Sequence, residues 1–307
     1  MMQRLYLWIL LLPLLSACGT VGDPTTWLAG ADVVEPSPLI DLENEVRPKI
    51  LWSRGVGSGT DEQWLNLRPR VVAGTVFVAD GEGDVQALSA DSGSRRWSVD
   101  LDVPVSGGPG AGEGLVLVGT SDAEVIALDQ QSGEERWRAR VSSEVLSVPA
   151  AAEGVVVVHT VDGKLFGLES TNGNQRWMYE RKVPVLTLRG SGSPVISGGA
   201  VFVGMAGGKL IALRIDNGNL LWDLNVTVPS GRSELERLAD IDGDPIVKGG
   251  GVFVATYQGN VAAIEQRTGR LAWRRKISAY SGMGADRLGL YVADAEGVVW
   301  GLDPRTG

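Results

Sequence analysis

The sequence is poor in the residues that carry redox and metal chemistry: among 307 positions there is one cysteine, Cys18, and one histidine, His159. A lone cysteine excludes an internal disulfide and a cysteine-based zinc cage, and a lone histidine leaves a zinc, copper or haem site short of its usual ligands. Positive charge is scarce too. The 28 Lys and Arg against 37 Asp and Glu give a net charge of −9, and the basic residues are spread in ones and twos. That excludes the basic stripe of a nucleic-acid binder. The apolar fraction of 44% is that of a globular chain, long enough for one large β domain or two ordinary ones.

No apolar run is long enough to cross a bilayer as a helix. The longest targeting-type run, Leu5 to Leu15, has eleven residues interrupted by Pro13 and preceded by Arg4, whereas a spanning helix needs about 20. It reads as an export signal. The following Leu15-Ser16-Ala17-Cys18-Gly19 resembles the bacterial lipobox, which implies cleavage before Cys18 and lipidation of that residue; an ordinary secretory signal with an incidental cysteine is the alternative. With Gly19 in place of an inner-membrane-retaining Asp, the resemblance implies the outer membrane, and three acyl chains would exceed the two signals that stable anchoring takes. Residues 19 to about 47 hold Pro24, Pro36 and Pro38 without a sustained apolar period, a tether with a reach of roughly 30 Å if flexible. The expected division is a signal at 1–17, lipidated Cys18 and tether at 18–47, and a folded domain at 48–307.

That domain is a repeat. Gln86-Ala-Leu-Ser-Ala-Asp-Ser-Gly93-Ser-Arg-Arg-Trp97 aligns without gaps to the segments ending in Gly133/Trp137, Gly173/Trp177 and Gly218/Trp222. A fifth copy ends in Gly269/Trp273 and a sixth stops at Gly307. The turn glycines are 40, 40, 45, 51 and 38 residues apart, the period of a four-stranded propeller blade and not that of a helical or leucine-rich repeat. In the second copy, four short apolar runs are expected as strands: Val103 to Ala111, Leu115 to Thr120, Glu124 to Asp129 and Glu135 to Val141. Glu113-Gly114 and Ser132-Gly133 supply hairpin turns. Weak alternation suits a sheet covered on both faces by neighbouring blades. The recurrent Trp, four residues past the turn Gly, is expected to pack between blades and not to serve as a ligand platform.

The pattern Ala-Leu-Asp-x-x-[Ser/Thr]-Gly-x-x-x-Trp is similar to the repeat of quinoprotein (PQQ-type) β-propellers over residues 71–307. With a lipoprotein signal and two insertions, the chain resembles the BamB family within that superfamily. The resemblance implies an all-β, eight-bladed ring and a non-enzymatic lipoprotein subunit of the outer-membrane β-barrel assembly complex. The insertions follow Trp177, at Lys182 to Pro194, and Trp222, at Ser233 to Pro245. Loops added to successive repeats project from one end and are expected to be neighbours. By resemblance, Leu186, Leu188 and Arg189 in the first and Asp240 and Asp242 in the second form the surface that engages the soluble domains of the barrel subunit BamA. Without the family, exposed leucines beside an arginine still make an interface. The alternative is that the leucines belong to a strand and Arg189 pairs internally with Asp240 or Asp242.

Other chemistries find little support. Asp240, Asp242 and Asp244 have the 1, 3, 5 spacing of a calcium loop, but the sixth position is Pro245 instead of Gly and the twelfth is Gly251 instead of Glu. A PQQ-dependent dehydrogenase is the enzyme alternative, although the vicinal disulfide common among such enzymes is excluded and no cofactor is expected. His159, in Val155-Val-Val-Val-His159, reads as a structural residue near a strand end, and Gly55-Val-Gly-Ser-Gly59 lacks the Lys-Ser/Thr of a phosphate loop. A generic peptide- or sugar-binding propeller of the periplasm is the third reading. Blade edges could hold an unfolded outer-membrane client by β-augmentation. Finally, Gly307 falls inside a hairpin motif, and Lys49 to Ser53 reads as the last strand of a blade. By the family's ring closure, one to two blades, on the order of 60 to 80 residues at the blade period, are expected to be absent from this sequence.

Overall fold

A computed structural model describes residues 47–60, 62–181, 192–228, 232–233 and 238–307. Among these residues every regular element is a strand. After β1 (Asn66–Leu67), the first blade is β2 (Arg70–Val72), β3 (Thr75–Ala79), β4 (Asp84–Ser89) and β5 (Arg95–Asp100). The second is β6 (Val105–Gly112), β7 (Leu115–Thr120), β8 (Glu124–Asp129) and β9 (Glu135–Arg140). The third is β10 (Ala150–Ala152), β11 (Val155–His159), β12 (Leu165–Glu169) and β13 (Gln175–Tyr179). The fourth is β14 (Val195–Ser197), β15 (Ala200–Met205), β16 (Lys209–Arg214) and β17 (Leu220–Asn225). The fifth is β18 (Ile246–Lys248), β19 (Gly251–Ala255), β20 (Val261–Glu265) and β21 (Leu271–Arg275). The sixth sheet has β22 (Met283–Ala285), β23 (Leu290–Ala293) and β24 (Val299–Leu302).

Each sheet is an antiparallel meander in chain order, and β1 joins the second one by parallel pairing with β6. The expected strands of the second repeat stand within two residues of their observed bounds. Glu113 and Gly114 both take positive φ, 54° and 75°, the two-residue turn whose twist matches the flanking strands. The innermost strands β2, β6, β10, β14, β18 and β22 contact one another in sequence, so the sheets radiate from a common axis. Strands β7, β11 and β15 are buried along their whole length, which explains the weak alternation: both faces meet neighbouring sheets.

One contact joins each sheet to the next. The indole Nε1 of Trp97, Trp137, Trp177, Trp222 and Trp273 donates to the carbonyls of Gln130, Ser170, Ile215, Gln266 and Pro304, at 2.8–3.2 Å. Each acceptor stands three residues before the next blade's turn Gly, and the ring lies flat over that Gly. A Cβ on Gly173, for example, would come within 2.6 Å of the Trp137 ring, at a φ of +75°. Trp52 repeats the geometry on the first blade, donating to Ala90 at 2.8 Å over Gly93. The segment Lys49 to Ser53 pairs with no strand among the described residues, and its Trp occupies the blade-linking position. Downstream, Ser58 donates its backbone N–H and hydroxyl to Asp80. Burial works against the Asp80 charge, but four backbone N–H donors outweigh it and hold the carboxyl below its ordinary value.

Two alanine substitutions separate backbone strain from packing at these turns. Gly154 has a φ of +76° with open space around its missing Cβ, whereas Gly173 faces Trp137. Gly154→Ala is expected to cost about 1 kcal/mol and Gly173→Ala about 2–4 kcal/mol in urea unfolding. Equal costs would show that the Trp contact contributes nothing beyond the turn.

Candidate partner-binding surface

The two insertions leave their blades at places where the described chain can be compared with an unlengthened linker. Between the second and third blades, Val145-Leu146-Ser147-Val148-Pro149 enters the inner strand; between the fourth and fifth, Ile241-Asp242-Gly243-Asp244-Pro245 does so. The hydrogen bonds coincide: Val161 N–H donates to the Glu144 carbonyl at 3.0 Å and Tyr257 N–H to the Asp240 carbonyl at 3.1 Å. The packing coincides as well. A Cβ on Gly119 would meet the Val145 side chain at 2.3 Å, and one on Gly204 would meet Ile241 at the same distance. The second insertion therefore adds its eleven extra residues upstream and rejoins the blade pattern at Asp240.

This register explains the two acidic residues. Asp240 is buried beside Ile241, and its carboxylate accepts the Gly207 backbone N–H at 2.8 Å, an acceptor that an otherwise unpaired loop amide needs. Asp242 occupies the place of Leu146, which is only 2% exposed. Burial, with the charge of Asp240 adding to it, pushes the Asp242 carboxyl up to about 7. Asp244 turns elsewhere: it accepts the Ser193 backbone N–H at 2.8 Å and pairs with Arg68 at 3.4 Å. Asp244 thus stands apart from Asp240 and Asp242, and among the described residues no group of three or more His, Cys, Asp or Glu is placed to hold a metal ion.

The first insertion rejoins through a size exchange. Where the second and fourth blades have Gly119 and Gly204, the third has His159. Its imidazole is buried, and Nδ1 lies 3.1 Å from the Gly192 carbonyl. Burial holds its pKa below the ordinary value against the opposing influence of that carbonyl and Asp162. The neutral ring thus donates through Nδ1 to the limb of the first insertion. Ser193 adds a second clasp, its hydroxyl accepting the Val148 N–H at 3.1 Å. Gly192 packs on the opposite limb, since a Cβ there would lie 3.0 Å from the Ile241 carbonyl. The return limbs of both insertions are neighbours, joined by Ser193 and Asp244.

Of the sequence-predicted contact residues, Asp240 is buried in this support and Asp242 is half-buried beside it. Leu186, Leu188 and Arg189 lie outside the described residues, as does Cys18. Sequence reasoning missed Asp244, Ser193 and His159 as the groups that tie the limbs together. A signal existed in the common spacing of Pro149, Pro194 and Pro245 ahead of their turn glycines, which aligns the limbs despite their different loop lengths.

Asp242 gives the site a measurable pH signature. Its folded pKa lies above the unfolded value of 3.8, so the folded state holds the proton more tightly. Stability from this group is complete below about pH 4 and is lost as pH rises through about 7. Asp242→Asn removes the penalty of ionisation, so the variant's stability advantage should grow by on the order of 2–3 kcal/mol between pH 5 and pH 8. Thermal unfolding of both proteins across that range checks it; an advantage that shrinks with pH would contradict the burial argument.

Known proteins share this fold. Residues 81–307 match the family profile described as outer membrane protein assembly factor BamB. A Pseudomonas aeruginosa protein of that name is 51% identical over 270 residues, which span 88% of this chain and 71% of the relative. The crystal structure of BamB from Moraxella catarrhalis superposes with a TM-score of 0.73 at 27% identity, covering 80% of this chain and 74% of that one. A quinohemoprotein alcohol dehydrogenase from Comamonas testosteroni shares the fold, at a TM-score of 0.53 and 17% identity, over 78% of this chain and 46% of its own. The dehydrogenase likeness, at so low an identity, is one of fold, whereas the family profile and the half-identical relative go further: this chain belongs to the BamB family of outer-membrane protein assembly factors.

Proposed function

We propose that the chain is a non-enzymatic scaffold of the machinery that assembles β-barrel proteins in the outer membrane of a Gram-negative bacterium. The observation that carries this is the match to BamB assembly factors over most of the chain. Its contact surface lies on the two insertions, whose return limbs are joined to one another by Ser193 and Asp244 and held to the blades by the buried His159 and Asp240. A docking loop held at its root loses less conformational freedom on binding than a free one. BamA is the partner, through Leu186, Leu188 and Arg189; Asp240 and Asp242 support the surface from beneath. Residues 1–17 act as the signal and Cys18 as the lipid anchor, with 18–47 as the tether to the propeller at 48–307.

The free strand edges bear on how an extended client is held. Inner strands of three residues follow Pro69, Pro149, Pro194 and Pro245, and proline denies a partner strand its N–H donor. Outer strands β5, β9, β13 and β21 carry Arg or Lys along their edges, which discourages pairing. Strand β17 differs: Leu220 and Leu221 are 46% and 49% exposed, and its one charge, Asp223, is paired with Lys209. Of β5, β9, β13, β17 and β21 it is the edge best suited to an apolar extended segment.

The test is a pull-down of the mature protein with the soluble domains of BamA, using wild type and Leu188→Ala plus Arg189→Ala, with folding checked by circular dichroism. Wild type should be retained and the folded double variant should lose binding by about ten-fold or more, as for the centre of an interface. A folded wild type that is never retained would overturn the BamA reading in favour of a generic binding propeller.

A further inference from the structure

The axis holds a feature that partner docking does not use. A channel of about 360 Å³ opens between the inner strands of the first four blades. Its wall includes Pro109, Pro149 and Pro194, and its charged residues are Arg68, Arg70 and Asp244. The prolines share one register position, each 24 residues before its turn Gly, together with Pro69 and Pro245. At those five positions the backbone has no N–H to offer, so the prolines present rigid apolar surface and cannot hold an anion. At those positions a negative charge entering the channel finds no backbone donor, and the cationic groups of the wall are the side chains of Arg68 and Arg70.

Two arginines are placed to do so. Arg68 is fixed in position by its ion pair to Asp244 at 3.4 Å and by its Nε–H bond to Asn66 at 2.8 Å. Arg70, two residues on, makes no hydrogen bond or ion pair through its guanidinium among the described residues. Among the described residues that line the channel, the three charges leave one positive charge uncompensated, in a chain whose net charge is −9. The volume lies at the lower end of small-ligand sites, about 300–1,000 Å³, enough for a few residues of extended chain. An inorganic anion would satisfy the arginine but leave the Pro- and Ala-rich wall uncovered.

We propose that this channel binds a peptide carboxylate, with Arg70 as the principal anchor, Arg68 beside it, and the proline wall covering the adjoining apolar residues. The planar guanidinium suits two parallel N–H bonds to one carboxylate. The carboxylate can come from a chain terminus or from an Asp or Glu side chain, a distinction that experiment resolves. The return limbs of the insertions contribute Ser193, Pro194 and Asp244 to the channel wall, but Arg70 is not among the residues proposed to meet BamA, so the failure of an Arg70 test leaves the BamA reading untouched.

The experiment is calorimetric titration of the full chain with three capped peptides: acetyl-Ala-Ala-Pro-Ala with a free C-terminus, the same peptide amidated, and amidated acetyl-Ala-Asp-Pro-Ala. Sodium acetate is the fourth probe. At least one carboxylate-bearing peptide should bind about ten-fold or more tightly than the neutral amide, and which one does so identifies the source. Arg70→Ala should weaken that binding about ten-fold, Arg70→Lys less, and Arg274→Ala on β21 not at all. Arg70→Gln, which keeps the side chain's bulk, provides the same test should the alanine variant unfold. Binding that ignores the carboxylate, that survives both Arg70→Ala and Arg70→Gln, that is matched by acetate, or that is absent for every peptide would each overturn the proposal.

Discussion

The fold depends on an indole laid over a glycine. At each junction a tryptophan from the outer strand of one blade covers the turn Gly of the next and donates to the carbonyl three residues earlier. The two halves of the contact need one another. A side chain on the Gly would enter the ring, and its positive φ would cost any other residue strain. Without the turn carbonyl the indole N–H would be half buried and unpaired, a cost of about 1–3 kcal/mol. One short motif thus sets both the hairpin inside a blade and the spacing between blades. Trp52 makes the same contact on Gly93 from the segment that precedes the first blade.

The insertions are tolerated because they lie between fixed points. Their blades keep the Trp contact on both sides, Trp177 to the Gly218 turn and Trp222 to the Gly269 turn. Extra chain is then confined to the path between an outer strand and the next inner strand. Extending such a path costs little closure entropy, since the penalty grows only with the logarithm of length. What the extra residues require is a secure return, and two solutions appear. In one, Ile241 packs against Gly204 as Val145 packs against Gly119; in the other, His159 supplies the bulk and meets the carbonyl of Gly192. Exchanging large for small across the junction keeps the volume filled.

The blades were legible in the sequence because their signals are local. Turn glycines, β-branched runs and the Trp four residues later lie within one repeat, and the strands of the second blade fall close to their expected bounds. The roles of Asp240 and Asp242 were legible only in part. Carboxylates on an insertion read as surface groups, whereas Asp240 is buried and Asp242 takes an apolar position. Recognising that required aligning the limb on Pro245 with the one on Pro149, beneath an eleven-residue difference in length. Arg68 with Asp244 was not legible, because a pair 176 residues apart depends on how the sheets close around the axis.

The same closure divides the strand edges by function. Four of the six inner strands are three residues long and begin after proline, and the inner edges crowd against their neighbours; a Cβ on Gly110 would come within 1.9 Å of the Pro149 carbonyl. They can line a channel but have no room for an added strand. Outer edges face solvent and have the room, so their side chains must decide whether pairing occurs. Arg and Glu do so on β9, where Arg138 pairs with Glu124 and Glu135, and the leucines of β17 leave that edge open. A propeller can therefore carry three separate surfaces on one repeated scaffold. The loops at one end suit a folded partner, the axis suits a small charged group, and the outermost strand of one blade suits an extended chain. Each follows from where in the repeat the sequence departs from its own pattern.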